Sequence, residues 1–389
     1  MEGDFIKINR WLQPLSWLYG LGVRFRNTLF DIGILKSRSF SVPVISVGNI
    51  TVGGTGKTPH VEYLITLLQR EKRVAVLSRG YKRKSHGFHI ADAKSTARTI
   101  GDEPFQMKQK FPKVTVAVDK DRVQGIELLN RQQPAIDVIL LDDAFQHRYV
   151  KPGINILLVD YHRLIIYDTL LPAGRLREPL TGKNRADIVI ITKCPRDLKP
   201  MEYRIITKAM DLYPYQDIFF TTLEYGELMP MFNSEGSLTT LDDLRLQHVL
   251  LLTGIASPRQ MKEDLTPFAA SLSTLSFPDH HDFQQKDIDR LSHEFAALPS
   301  PKCIITTEKD AARIIPLQGL SQEIKNHIYI LPVHISFMQD QEEKFNEKIL
   351  GYVRKNSRDS ILAKGKDDHK PEDGHCSGNR PGAISFRDN

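Results

Sequence analysis

The fold is decided by one stretch of sequence, Val42-Pro43-Val44-Ile45-Ser46-Val47-Gly48-Asn49-Ile50-Thr51-Val52-Gly53-Gly54-Thr55-Gly56-Lys57-Thr58. Its apolar first part, Val42–Val47, predicts a buried strand, and the spacing of apolar residues in His60–Arg70 predicts a helix. The loop between them follows the pattern G-x-x-x-x-G-K-[ST], except that Thr51 replaces the first glycine. Glycines in such a loop let the backbone aim N–H groups at phosphate oxygens, and the dipole of the following helix adds to the attraction. The stretch therefore predicts a phosphate-binding loop, or P-loop.

The residues around this loop suit a nucleotide and a metal ion. Lys57 can reach the β- and γ-phosphates, and the Thr58 hydroxyl can hold Mg²⁺. Two carboxylates, Asp142 and Asp143, follow the apolar run Val138–Leu141 and are candidates for the same metal ion, although such a pair is also common in turns. The predicted cofactors are ATP and Mg²⁺, and the predicted nucleotide-binding residues are Thr51, Val52, Gly53, Gly54, Thr55, Gly56, Lys57 and Thr58.

Short apolar runs rich in β-branched residues alternate with helical patterns along the chain. This alternation predicts an α/β fold with a mostly parallel sheet buried on both faces. The runs of the first series are Arg73–Leu77, Val114–Val118, Val138–Leu141, Ile154–Val159 and Ile188–Ile191. A second series comprises His248–Leu252, Leu275–Phe277, Cys303–Thr306 and Ile328–Leu331. The break between the two series, near residue 225, predicts a second, smaller α/β domain.

The two ends of the chain differ from its middle. Trp11 and Trp17 lie on the apolar face of a predicted amphipathic helix with arginines nearby, which favours attachment to a membrane surface; docking on the protein's own core is the alternative. The C-terminal residues include too few apolar side chains to fold and are expected to be disordered. The predicted segments are 1–40 for the helix, 41–224 for the P-loop domain, 225–352 for the smaller domain and 353–389 for the tail.

Composition limits the class of protein. The chain has 389 residues, of which 41% are hydrophobic and 26% charged, as is typical of globular proteins. Three cysteines without a C-x-x-C pair exclude a disulfide framework. The net charge of +6 favours anionic partners, but the aromatic interleaving expected for base stacking is absent. Nucleic acid is therefore not an expected partner, and no obligate protein partner is evident.

The type of P-loop protein depends on two further patterns. Guanine-nucleotide proteins carry an [NT]-K-x-D motif, whereas Thr192-Lys193-Cys194-Pro195 ends in proline, which disfavours GTP. The remaining classes are an ATPase that drives a conformational change and a kinase. A kinase must orient an acceptor hydroxyl near the γ-phosphate. Two polar clusters are suited to orienting it, namely Gly101-Asp102-Glu103-Pro104 and Phe277-Pro278-Asp279-His280-His281-Asp282-Phe283.

Asp102 and His280 are the candidates for this acid–base work, and Lys57 is the third predicted catalytic residue. An Asp–His pair from two domains would assemble only when the cleft between them closes. Asp102 is equally a possible helix cap, and the histidine run a possible metal site. Charged residues in polar or glycine-flanked loops are further candidates, with solvated surface charges as the alternative. The predicted substrate-contacting residues are Arg79, Arg122, Glu178 and His281.

Six motifs occur in the order and spacing of one known family, over about residues 5–350. They are Pro43–Pro59, Leu77–Tyr81, Gly101–Pro104, Leu141–His147, Leu171–Glu178 and Phe277–His281. The set resembles the tetraacyldisaccharide 4′-kinases, the lipid A 4′-kinases of Gram-negative bacteria. The replacement of the first glycine of the P-loop pattern, here by Thr51, is also typical of this family.

The resemblance implies a transferase that moves the γ-phosphate of ATP to the 4′-hydroxyl of an acylated glucosamine disaccharide 1-phosphate, giving lipid IVA. It implies a P-loop NTPase-like α/β/α sandwich, a second domain beyond a short β linker, and an active site between the two. The N-terminal helix would rest on the cytoplasmic face of the inner membrane, as in a peripheral protein. In this family an aspartate of the G-D-E-P motif acts with a histidine of the F-x-D-H motif. These correspond to Asp102 and His280, with His281 as the alternative partner.

Two other functions remain compatible with the residues. A P-loop metallochaperone or motor ATPase would bind metal at His280-His281-Asp282, purify with stoichiometric zinc or nickel, and form no phosphorylated product. A non-catalytic basic protein would retain DNA in a salt-dependent manner.

Overall fold

The computed structural model of the chain describes residues 8–232, 238–255, 258–279, 281–317 and 319–367, with side chains as far as residue 357. Its strands are β1 (Val44–Gly48), β2 (Val74–Ser78), β3 (His89–Ile90), β4 (Thr115–Val118), β5 (Val138–Asp142), β6 (Ile154–Asp160), β7 (Ile188–Thr192), β8 (Asp217–Tyr225), β9 (Met229–Pro230), β10 (His248–Thr253), β11 (Ser271–Ser276), β12 (Lys302–Thr307), β13 (Ile328–Leu331) and β14 (Val333–Phe337). Its α-helices are α1 (Gln13–Asp31), α2 (Lys57–Leu68), α3 (Ala97–Ile100), α4 (Asp102–Lys110), α5 (Arg122–Asn130), α6 (Pro200–Met210), α7 (Arg259–Leu265), α8 (Gln285–Ala296), α9 (Glu308–Ile314), α10 (Gln322–His327) and α11 (Glu342–Asp367).

The larger sheet has β1 at its centre, between β5 and β6, in the order β14-β8-β7-β6-β1-β5-β2-β4-β3. The strands from β8 to β4 are parallel, and the edge strands β14 and β3 are antiparallel. Val47 of β1 is in register with Asp142 of β5, so the P-loop and the aspartate pair leave the sheet at the same edge. This is the edge at which parallel α/β sheets bind ligands.

Helices cover both faces of this sheet, which confirms the predicted α/β/α sandwich. Ile45 and Val47 pack with Leu64 of α2 on one face, in a core that α4 and α11 also enter. Val44, which precedes Ile45, packs with Ile126 of α5 on the other face. The alternation follows from the two-residue period of a strand. Burial on both faces explains why these strands read as continuous apolar runs.

The smaller sheet has the order β11-β10-β12-β13-β9, parallel except for the edge strand β9. Its helices and strands enclose cores of their own. After β13 the chain returns to the larger sheet, where β14 pairs with β8. α11 then buries Phe345, Ile349 and Val353 against the larger sheet's core, at the i, i+4, i+8 spacing of one helix face.

The observed segments differ from the predicted ones in two respects. The sequence predicts that the range 225–352 belongs to the smaller domain, but its residues from Val333 onward join the larger sheet and its core. The polar tail is predicted to begin at residue 353, but Val353 is buried as part of α11, and that helix continues to Asp367. Residues 368–389 lie outside the described residues.

The N-terminal helix α1 docks on the larger domain by a narrow face. Ser16 Oγ donates to the Leu170 carbonyl at 2.9 Å, and a Cβ at Gly20 would lie 2.6 Å from Leu170 Cδ1. The apolar residues on the rest of the segment stay exposed, namely Trp11, Leu15, Trp17, Leu18, Leu21 and Phe25. Across the described part of the chain, no helix has the length and apolar character needed to cross a bilayer.

Candidate active site

The P-loop joins β1 to α2 as the sequence predicts. Gly53 has φ 121° and Gly56 has φ 78°, values that favour glycine over other residues. Gly56 is the residue before the first turn of α2, so Lys57 and Thr58 open that helix. The loop is anchored at its start, where the Val52 N–H donates to the Arg175 carbonyl at 2.8 Å. The backbone therefore has the strand–turn–helix geometry that a phosphate site needs.

Lys57 and the two aspartates meet at the sheet edge. Lys57 Nζ lies 3.8 Å from Asp143 Oδ1, and Arg177 Nη2 lies 3.2 Å from the same oxygen. Burial works against the ionisation of Asp143, but these two cations hold its pKa below the ordinary value. Asp142 is completely buried and accepts a 3.0 Å hydrogen bond from Ser78 Oγ. Burial, with Glu103 and Asp143 nearby, raises the pKa of Asp142.

The donors at this edge fit a magnesium ion. Asp142 Oδ1 is buried without a hydrogen-bond partner among the described residues, and Thr58 lines the adjoining cleft. In the described part of the chain no three His, Cys, Asp or Glu side chains cluster as a metal cage. Mg²⁺ seldom uses such a cage, because it keeps several waters and binds one or two carboxylates together with substrate phosphates.

Arg79 and Arg122 approach the same edge from neighbouring elements. Arg79 is exposed and follows directly after the last residue of β2. Arg122, the first residue of α5, is buried, and its Nη2 lies 3.4 Å from the Asp142 carbonyl. Burial lowers the pKa of Arg122 to about 10, so the guanidinium remains charged at neutral pH. The structure thus places two predicted substrate residues beside the predicted metal site.

A cleft of about 340 Å³ separates the P-loop from the smaller sheet. Its floor is formed by residues 54–59 and Glu62, and Glu103 and Gln106 of α4 also line it. The smaller sheet's side contributes mostly residues from the loop after β10, from α7 and from the start of α9: Ile255, Arg259, Gln260, Met261, Glu263, Asp279, Thr307, Glu308 and Lys309. A volume of this size falls in the range of small-ligand sites.

Asp102 forms an ion pair with a cation of the smaller domain. It begins α4 after Gly101, and its Oδ2 lies 2.6 Å from Arg313 Nη2 and 3.0 Å from Arg313 Nε. Arg313 belongs to α9 and is almost buried, with its Nη1 3.2 Å from Asp310 Oδ1. Sequence reasoning missed Arg313, because α9 carries no recognisable motif there.

The two predicted catalytic motifs are brought together by a second cation of α9. Lys309 Nζ lies 3.1 Å from Asp279 Oδ1 and 3.7 Å from Glu103 Oε1. Asp279 belongs to the F-P-D-H-H motif and Glu103 to the G-D-E-P motif, so the motifs face each other across the cleft. Lys309 itself was also missed by sequence reasoning.

The remaining predicted residues have other surroundings. His281 Nε2 lies 2.9 Å from Asp287 Oδ2, and its ring stacks on Phe277 with centroids 4.7 Å apart. Glu178 is buried and accepts two hydrogen bonds, at 3.0 and 2.9 Å, from Arg185 Nη2. Neither residue lines the cleft. His280 lies outside the described residues.

Comparison with known proteins agrees with this geometry. A family model described as tetraacyldisaccharide-1-P 4′-kinase matches residues 8–354. The chain is 58% identical to the tetraacyldisaccharide 4′-kinase of Phocaeicola vulgatus, covering 92% of this chain and 99% of that protein. It is 55% identical to the protein of the same name from Bacteroides thetaiotaomicron, covering 95% and 100%. A crystal structure of LpxK from Aquifex aeolicus, an "apo" form in complex with ATP, matches with a TM-score of 0.68 and 32% identity over 88% of this chain and 98% of that one. This chain belongs to the tetraacyldisaccharide 4′-kinase family.

Proposed function

We propose that this chain transfers the γ-phosphate of ATP to the 4′-hydroxyl of tetraacyldisaccharide 1-phosphate, forming lipid IVA in lipid A biosynthesis. The observation that carries the proposal is the P-loop at the floor of a cleft, with Lys57 beside Asp143. Family membership and the ATP-bound relative support the same reaction.

The nucleotide is held chiefly by the loop of residues 51–58. Backbone N–H groups of a P-loop and the N-terminus of its helix attract the triphosphate, and Lys57 adds a positive charge at the β- and γ-phosphates. Thr58 and Asp142, with Asp143 beside them, are the residues that would hold Mg²⁺. The ion supplies charge neutralisation to the transferring phosphate.

Asp102, with His280, is the proposed group that accepts the proton of the sugar hydroxyl. Asp102 is the first residue of α4, and its neighbour Glu103 lines the cleft. The close approach of Asp279 and Glu103 to Lys309 supports this pairing, because it brings the motif that contains His280 to the motif that contains Asp102. Closure of the smaller domain would complete the site only when the substrate is bound, which limits wasteful hydrolysis of ATP.

The sugar phosphate needs cationic partners, and Arg79 and Arg122 at the sheet edge are suited to that role. Glu178 contributes to substrate binding only indirectly, because its carboxylate is already paired with Arg185. His281 likewise pairs with Asp287, so we assign it a role in positioning its own motif rather than a contact with the substrate.

The acylated substrate stays in the bilayer, since each buried CH₂ is worth about 0.8 kcal/mol. The exposed apolar residues of α1 are placed to meet it there: Trp17 is 70% exposed and Leu21 is 67% exposed. Arg10 and Arg24 can add attraction to an anionic leaflet. We therefore place the chain at the cytoplasmic face of the inner membrane, as a peripheral protein.

The activity is tested by incubating the purified chain with γ-labelled ATP, Mg²⁺ and tetraacyldisaccharide 1-phosphate in detergent micelles, followed by thin-layer chromatography. We expect a labelled lipid with a second phosphate. Lys57→Ala and Asp102→Ala should each lower kcat by about 10²- to 10⁴-fold, because each removes a group that acts on the transferring phosphate or the acceptor proton.

Two surface variants serve as matched controls. Lys94→Ala and Asp242→Ala remove the same charges at exposed positions and should keep the wild-type kcat. Normal transfer by Asp102→Ala would remove Asp102 from the mechanism. Absence of a labelled lipid with the wild-type chain would contradict the proposed reaction itself.

A further inference from the structure

The segment Thr192-Lys193, part of the incomplete guanine-nucleotide motif, contacts the backbone of the P-loop. Thr192 is the last residue of β7 and is completely buried. Its Oγ lies 3.0 Å from the Thr55 carbonyl and 3.4 Å from the Val159 carbonyl, so the hydroxyl donates chiefly to Thr55. Lys193 Nζ donates to the Gly54 carbonyl. One strand end therefore holds two consecutive carbonyls of the loop.

These contacts fix two peptide planes of the P-loop. In a trans peptide the C=O and the N–H point in opposite directions. The Gly54 carbonyl shares its plane with the Thr55 N–H, and the Thr55 carbonyl shares its plane with the Gly56 N–H. Holding both carbonyls turns both N–H groups away from the end of β7. Amides in this part of a P-loop are the ones that bind phosphate.

The lysine that makes one of these contacts is itself held in place. Its ammonium group lies 2.7 Å from Asp160 Oδ2, and both side chains are largely buried. Asp160 Oδ1 in turn accepts a 3.0 Å hydrogen bond from the His162 N–H. Lys193 also has φ 57°, a backbone conformation that is disfavoured for lysine and persists only where the surroundings impose it.

We propose that Thr192 and Lys193 are positioning residues that orient the P-loop amides before the triphosphate arrives. In guanine-nucleotide proteins the corresponding segment recognises guanine. Here Thr192 and Lys193 instead hold the backbone of the P-loop. This inference rests on the proposed binding of ATP by the loop. A loop ordered in advance loses less conformational freedom on binding, so its affinity for the ligand is higher.

The test compares the ATP affinity of variants by isothermal titration calorimetry with ATP and Mg²⁺. Thr192→Val keeps the shape of the side chain but loses the donor, and we expect about 3- to 10-fold weaker binding. Thr192→Ser restores the hydroxyl and should recover the wild-type affinity to within about twofold. Lys193→Met should weaken binding at least as much as Thr192→Val, because a charged donor makes the stronger hydrogen bond.

The matched control is Thr306→Val in the smaller sheet. Thr306 is also completely buried and donates to a strand carbonyl, that of Leu252, at 3.0 Å. Its substitution should leave ATP affinity unchanged. A Thr306→Val affinity as weak as that of Thr192→Val would show a general effect of losing a buried hydroxyl and overturn the inference.

Two further outcomes separate this inference from the proposed function. Equal ATP affinity in wild type and Thr192→Val, or no recovery in Thr192→Ser, overturns the positioning role while ATP binding stands. Absence of ATP binding by the wild-type chain overturns the proposed function, and the positioning role with it.

Discussion

The side chain of His60 links the start of α2 to the neighbouring strand β8 by two hydrogen bonds. Its Nδ1 lies 2.7 Å from the Gly56 carbonyl, and its Nε2 lies 3.1 Å from Thr221 Oγ. Because a carbonyl only accepts hydrogen bonds, Nδ1 carries a proton. Burial lowers the pKa of His60 to about 4, so the ring is neutral at neutral pH and Nε2 then accepts from the threonine hydroxyl.

This pKa predicts that acid destabilises the P-loop region. The folded-state pKa lies below the ordinary 6.5, so the unfolded chain binds the proton more tightly and stability is lost as pH falls from about 6.5 to about 4. Between about pH 7.5 and about pH 5 the loss is on the order of 2 kcal/mol. We expect His60→Gln to lose correspondingly less over this range in urea unfolding, and the exposed variant His86→Gln to behave like wild type. The same pH dependence in wild type and His60→Gln would contradict the assignment.

At the scale of elements, α1 has one face that docks on the larger domain and another that is exposed to solvent. Small buried residues, Ser16 and Gly20, allow it to approach the Leu170 segment closely, and Tyr19 donates to the Arg177 carbonyl at 2.7 Å. Bulky apolar residues lie on the remaining surface, exposed to solvent. The two interpretations offered by the sequence, docking and membrane attachment, are therefore compatible in one helix.

The exposed surface of α1 can be tested on vesicles of phosphatidylethanolamine and phosphatidylglycerol. The double variant Trp17→Ser/Leu21→Ser should bind them at least roughly tenfold more weakly in co-sedimentation, because it removes two apolar anchors. Leu246→Ser/Tyr215→Ser changes side chains that are 77% and 57% exposed elsewhere, and it should bind like wild type. Vesicle binding unaffected by the α1 substitutions would exclude this helix as the attachment site.

The sequence pattern predicts elements formed by local signals well, and it predicts edge strands and strands with distant partners poorly. β1, the P-loop and α2 are predicted because a buried strand, a glycine-rich turn and a helix follow one another locally. The edge strand β11 was expected at Leu275–Phe277 but spans Ser271–Ser276, since its exposed serines hide the strand pattern. The strands β8 and β14 were not predicted; they pair with each other, and local periodicity does not specify such a distant partner.

At the scale of the whole molecule, the active site depends on contacts between distant parts of the chain. Asp102 and Arg313 are separated by 211 residues, yet they form a close ion pair between the two domains. The acidic side of this contact was identified from the sequence, because Asp102 lies in the recognisable motif Gly101-Asp102-Glu103-Pro104. The cationic side could not be found from sequence, because an arginine in a short helix carries no distinguishing signal.

Arg313 is therefore expected to act on catalysis through Asp102. Arg313→Met should lower kcat by about 10- to 100-fold, because misplacing the carboxylate proposed to accept the proton costs that much, while the KM for ATP stays near the wild-type value. Arg245→Met removes an exposed arginine, paired with Asp242 on the surface, and should change neither constant. Steady-state kinetics with varied ATP separates the two effects. A wild-type kcat in Arg313→Met would show that the ion pair has no part in catalysis.

The most direct test of the proposed mechanism is a crystal structure of the chain with a non-hydrolysable ATP analogue and Mg²⁺. We expect the β- and γ-phosphates within hydrogen-bond distance of the backbone amides of residues 53–57, with Lys57 Nζ at the phosphates and the metal ion between them and Asp142. A triphosphate bound elsewhere, or a P-loop turned away from Asp142 and Asp143 with the analogue present, would contradict it.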